Sequence, residues 1–307
     1  MIKKIILIII IFLFNENNLK ANESVKIILK INNQIITNAD VENEYNYITA
    51  LNNDFKKLTK SKALKIAKES VIKEKIKRAE IVKYYDLNQK NDNIKGVIRD
   101  FYLKLNLKNE EEFKNYLKEY NITFEEVKNR INVETIWNQL IYSKYKSKIK
   151  IDLEKLKKII QTQKSHQNSY LLSEILFKIN ADENIKKKYE MIKQSIAKEG
   201  FKNSANIYSI SDSAKLGGKI GWVNENQLSK NIIDKIKKIE VGRHTKPIPA
   251  SGGFLLLKIN DIKKVKINLN LEKELKKLEN FEINRQLNQM SNLFFNKIKS
   301  NTIIDEL

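Results

Sequence analysis

Cysteine is absent, and the 307 residues include only two prolines, eight glycines, two histidines and two tryptophans. Without cysteine the chain has no disulfides to stabilise it, no thiol for a lipid anchor and no thiolate metal site. His166 and His244 stand alone and far apart in sequence, so no zinc or other cofactor is expected. Long apolar runs are scarce as well. Residues 5–14 form one of ten residues, well short of the roughly 20 that span a bilayer. The fold must therefore rest on apolar cores alone.

That short run follows Lys3 and Lys4 and precedes Leu19-Lys20-Ala21, the layout of an export signal cleaved near residue 21. The expected location is the periplasm, with no membrane insertion after cleavage. Lysine and arginine (58) exceed aspartate and glutamate (37), giving a net charge of +21. The lysines are spread along the chain among glutamates, with no basic stripe interleaved with aromatics. This favours a solvated surface over nucleic-acid binding and leaves attraction to acidic polypeptides or an anionic surface open.

Residues 25–36 read as a β-hairpin turning at Asn32-Asn33. Thr37 with Asp40 marks a helix start, and helices are expected over 39–51, 61–85, 94–105, 110–120 and 155–163. Thr123 with Glu126 opens another, to about residue 148. A polar linker over 164–169 follows. A C-terminal helix over 271–299 and a short strand over 302–304 close the chain.

Between them, residues 170–265 hold both prolines, seven of the eight glycines and Trp222. The contrast marks a turn-rich α/β unit set into a helical protein. A buried-type strand is expected over 171–179, a helix over 182–199 ended by Gly200, and a reversal at Gly217-Gly218. Ile220 and Val223 fit a second strand, and Phe254, Leu256 and Ile259 a central one.

Ser173-Glu174-Ile175-Leu176, the run from Ser209 through Gly217-Gly218 to Gly221-Trp222, and Ser251-Gly252-Gly253-Phe254-Leu255 together resemble a parvulin-type (PpiC-like) peptidyl-prolyl isomerase domain. With the hairpin, the helical block and the long last helix, the whole order resembles the SurA-type periplasmic chaperones. The resemblance implies an α+β fold: a mainly helical N-terminal module with a short β-hairpin, completed by a C-terminal helix, plus a parvulin-like α/β domain with a four-stranded sheet. The implied division is 1–21 signal, 22–163 helical domain, 168–265 parvulin-like domain, and 266–307 packing back on the helical domain.

By motif position, Glu174 and Leu255 stand where such a domain carries its two histidines, and Ser211 stands at its Cys/Asp position. Leu228 and Ile232 replace the Met and Phe of its proline pocket. With Leu228 and Ile232, the candidate substrate-binding residues are Trp222, read either as core or as a ligand platform, Phe254 beside Leu255, and Asp212, a candidate for part of the missing polar role. The implied function is a chaperone for unfolded exported chains, outer-membrane proteins among them, with isomerase activity weak or absent. An active isomerase is the alternative.

Overall fold

The computed structural model describes residues 24–87, 94–161, 166–179, 183–250, 252–266 and 270–306. The export signal expected over residues 1–21 lies outside them. Strands β1 (Ile27–Ile31) and β2 (Gln34–Thr37) form the expected hairpin, with Asn32 at φ 49 carrying the reversal. The side chain of Thr37 accepts from the Asp40 N–H and the Asp40 carboxylate caps the Thr37 N–H, so helix α1 (Asn38–Leu51) starts where its capping box dictates. Helices α2 (Lys60–Ile81), α3 (Ile94–Lys104), α4 (Glu110–Lys118) and α5 (Phe124–Tyr145) follow. Apolar residues of β1 and β2 bury against α1 and one face of α2, from Ala63 to Ile76. A second core gathers α3, α4 and α5 around Phe113.

The far end of the chain returns to this frame. Helix α9 (Leu271–Ser300) stacks Phe294 on Trp137 of α5 at 5.7 Å, and Trp137 Nε1 donates to Ser291 Oγ at 2.8 Å. Strand β7 (Ile304–Glu306) then pairs antiparallel with β1, giving the order β2-β1-β7. The last strand lies two residues later than expected, because Thr302 still belongs to the helix end. Its N–H bonds Lys299 O and its hydroxyl bonds Ile298 O.

Helix α6 (Leu153–Gln161) runs along α9, and between these two the chain makes the inserted unit. Strand β3 (His166–Phe177), helix α7 (Ile185–Tyr208), strand β4 (Lys219–Asn224), helix α8 (Lys230–Ile236) and strands β5 (Ile248–Ala250) and β6 (Gly253–Lys266) build an antiparallel sheet in the order β4-β3-β6-β5. Of the expected linker over 164–169, residues 164 and 165 lie outside the described residues and 166–169 are strand. Residues 166–169 pair with 263–266, so β3 starts five residues early as one arm of a ribbon. Gly200 does break its helix, at φ 80, but a further helical segment runs on to Tyr208. One face of the sheet (Tyr170, Leu172, Leu257, Ile259) buries with Ile236 and Ile248, and the other (Ile175, Phe177, Leu256) buries under α7. Among the described residues, no helix is long and apolar enough to cross a membrane.

Candidate functional site

Glu174 lies in β3 directly opposite Leu257 of β6, and its N–H donates to Gly218 O at 2.8 Å. The Gly217-Gly218 reversal, at φ 65 and 77, brings the short 3-10 turn Asp212–Leu216 beside it. Ser211 Oγ donates to Glu174 Oε1 at 2.6 Å, and Ser213 Oγ lies 2.9 Å from the same oxygen. All of these bonds fall on Oε1. Among the described residues Oε2 makes no hydrogen bond and is left as a half-buried acceptor.

Two predicted positions, Glu174 and Ser211, thus meet in one polar cluster. Leu255, opposite Leu176 in β3 and Ile248 in β5, shares an apolar cluster with Leu228 and Ile232. The remaining candidates lie apart. Phe254 points to the other face of the sheet and stacks on Phe177 at 5.9 Å. Trp222 is 41% exposed on the outer strand, with Lys263 Nζ 4.0 Å above its ring, so it is neither core nor part of the cleft. Neither histidine reaches the cluster: His166 pairs with Lys266 at the far end of the ribbon, and the His244 ring lies near Phe201. Among the described residues, no group of three or more His, Cys, Asp or Glu side chains is placed to hold a metal ion.

Asp212 turns away from the cluster to the helical frame. Its Oδ1 accepts from Lys73 at 2.6 Å and Lys77 at 3.4 Å, and Lys77, fully buried on α2, also bonds Glu134 at 2.5 Å. Half of the Asp212 side chain stays exposed; partial loss of solvation pushes its carboxyl up, but Lys77 and then Lys73 outweigh it and hold the group well below the usual carboxylate range. Burial likewise pushes Lys77 down, and Asp212 and Glu134 outweigh it and hold it above the usual ammonium range. Three residues on, Lys215 reaches the fully buried Glu44 of α1 at 3.2 Å. Asn52 Nδ2 adds bonds to Asn206 Oδ1 at 2.7 Å and Asn203 Oδ1 at 3.3 Å. The turn that carries the site serines is therefore also the turn that docks the inserted unit on the frame.

A depressed folded-state pKa means that the Asp212 contribution is full above about pH 4 and lost as pH falls further. The urea midpoint of the wild type should exceed that of Asp212→Asn at pH 7, with the gap closing below about pH 4. A gap unchanged at pH 3 would contradict the ion pairing.

The rotamase family model for the PPIC-type PPIase domain matches residues 174–261. Over these residues the chain is similar to a rotamase domain. The match begins at Glu174 and takes in Ser211, Leu228, Ile232 and Leu255. Beyond it, the chain is 28% identical over 282 residues to the chaperone SurA of Buchnera aphidicola subsp. Schizaphis graminum, covering 84% of this chain and 63% of that protein. The chain thus spans less than two thirds of the curated relative. Among solved structures, PrsA, a peptidylprolyl isomerase of Bacillus anthracis, is 18% identical with a TM-score of 0.31, over 75% of this chain and 95% of that one. A SurA-like chaperone of Campylobacter jejuni is 15% identical with a TM-score of 0.31, over 92% and 98%. The resemblance to SurA-type chaperones with a parvulin-type domain, read from the sequence, is borne out.

Sequence reasoning missed Ser213, Lys73, Lys77 and Lys215. Ser213 was within reach, since a second serine two residues after Ser211 on a tight turn faces the same carboxylate. Lys77 gave no local signal, because the partner on the rotamase domain lies 135 residues away.

Proposed function

We propose that this chain is an exported chaperone of the periplasm that holds extended, unfolded segments of exported proteins, outer-membrane proteins among them. Its rotamase domain is degenerate as an isomerase. The observation that supports this is the make-up of the cleft: Glu174 held by two serine hydroxyls, with Leu255 in the apolar wall and no imidazole beside either. Rotation about an X-Pro bond faces a barrier of roughly 18–20 kcal/mol. One carboxylate facing leucine cannot reproduce a pair of imidazoles that share a proton. It can accept a backbone N–H of a bound chain through Oε2, while Leu228, Ile232 and Leu255 cover an apolar side chain.

The reading divides the protein into a helical module over 22–163, a rotamase domain over 168–265 and a closing segment over 266–307. The module has its own depression, a cavity of about 330 Å³ between β1, α2 and α9, where Ile31, Ile76, Phe294 and Ile298 are rimmed by polar residues such as Asn32, Lys83 and Lys297. Aggregation-prone chains are shielded by such weak apolar contacts. Equimolar protein should suppress aggregation of a denatured outer-membrane barrel protein, and the effect should survive moderate salt. Unprotected aggregation rules the reading out.

The two serine hydroxyls on Glu174 favour a second reading, a working isomerase. Uncatalysed X-Pro isomerisation takes tens of seconds, so proline-limited refolding separates the two. The wild type should accelerate it far less than an ordinary parvulin, and Glu174→His with Leu255→His should raise the rate. A wild-type rate equal to that of an ordinary parvulin decides for the enzyme.

A further inference from the structure

Strand β4 is an outer strand of the rotamase sheet. The Asn224 N–H donates to Gln227 Oε1 at 2.8 Å, not across to Ser169. Ser169–Asn224 is thus a non-hydrogen-bonded pair, and by alternation so is Leu171–Trp222. The main-chain N–H and C=O of Trp222 therefore point off the sheet edge, and among the described residues neither bonds to anything outside the sheet. Ile220 falls in the bulge between the Leu172–Gly221 and Ser173–Lys219 pairs. Ile220 and Trp222 are each 41% exposed. Leu171 lies beside Trp222 on a face that α7 covers only further along, at Ile175, Phe177 and Leu256.

Natural sheets blunt such edges, because unpaired donors and acceptors invite another strand. Here the edge instead carries a tryptophan and an isoleucine. The flanking charges choose the occupant. Lys263 lies over Trp222, and Lys219, which opens the strand, donates to Lys104 O at 3.0 Å; among the described residues neither forms an ion pair with a carboxylate. Asp261, opposite Leu171, places one carboxylate on this face, and it accepts from the Ile262 N–H.

We propose that the β4 edge is a second client site, separate from the Glu174–Leu255 cleft, which takes an extended polypeptide of alternating apolar and acidic residues as an added strand. The backbone of Trp222 supplies the pairing, its ring and Ile220 the apolar contact, and Lys219 and Lys263 the preference for carboxylates. This rests on the reading of the chain as a binder of nonnative polypeptides.

The test uses the whole protein and a dye-labelled synthetic peptide in which valine or tyrosine alternates with glutamate. A lysine-for-glutamate version is the control. Trp137 is fully buried, so iodide quenching of tryptophan emission reports Trp222. The acidic peptide should protect against iodide, and the basic one should bind more weakly. Ile220→Ser with Trp222→Ser, both exposed and clear of the cores, should weaken acidic-peptide binding at least about ten-fold. Binding that is lost in Leu228→Ala and kept in the edge variant overturns the edge site and leaves the chaperone reading standing. No peptide binding with aggregation protection intact also overturns the edge site, and failure of both assays removes the chaperone reading with it.

Discussion

Arg130→Met should lower the unfolding free energy by up to about 3–5 kcal/mol, the cost of breaking a buried ion pair by removing one partner. Arg130 of α5 bonds Glu44 of α1 and, at 2.9 Å, Glu74 of α2, and its guanidinium lies 4.6 Å from the Tyr47 ring centroid. Glu44 is fully buried and also accepts from Ser70. Burial pushes Arg130 down, and Glu44 and then Glu74 outweigh it and hold it above its usual range. Methionine keeps most of the volume but strands the Glu44 carboxylate with only Ser70 and Lys215. Adding Glu44→Met should return part of the loss, because an apolar pair needs no compensation for desolvation. Urea unfolding of the single and double variants checks this. A double variant less stable than Arg130→Met alone would show that packing, not desolvation, governs the position. Arg130→Met should also loosen the 3-10 turn, since Lys215 shares Glu44 with Arg130.

That network marks the limit of what the sequence makes legible. Features set by neighbours in the chain could be read directly. The capping boxes at Thr37 and Thr123 start their helices, and Asn32 and Gly217-Gly218 turn the chain where their backbone freedom predicts. The meeting of Glu174 with Ser211 followed from motif spacing. The orientation of neighbours was also open to reasoning. Phe254 and Leu255 are adjacent in a strand and cannot both face one cleft. Trp222 could not be placed, because a bulge in β4 resets its register. Lys77 and Glu44 were out of reach for a different reason. A charged residue at a buried helix position looks like any surface lysine or glutamate until the fold supplies a partner.

The second large effect concerns the reversal behind the site. A Cβ on Gly218 would lie 2.2 Å from Glu174 O and 3.1 Å from Ala205 Cβ, with φ at +77. Backbone atoms cannot step aside as a side-chain tip can, so Gly218→Ala must push β3 and the turn apart. The expected loss is about 3 kcal/mol or more, with mechanisms of clash and strain acting together. It should also break the Glu174 N–H to Gly218 O bond and displace the carboxylate from its serines. Gly221→Ala is the matched control. It carries φ +101 with no atom within 4 Å of a new Cβ, so only backbone strain of about 1–2 kcal/mol applies. Thermal unfolding separates the two, and equal losses would mean that strain alone, not the close approach to Glu174, sets the need for glycine.

The pairing of β1 with β7 imposes an order on assembly as the chain emerges. The rotamase sheet closes within one continuous run of sequence, from His166 to Lys266. The frame around it needs Ile304 to reach Ile31 across almost the entire length. Contacts between nearby residues form before distant ones. As the chain is made, the insert can therefore close before β7 reaches β1, and β7 then acts as the latch of the frame.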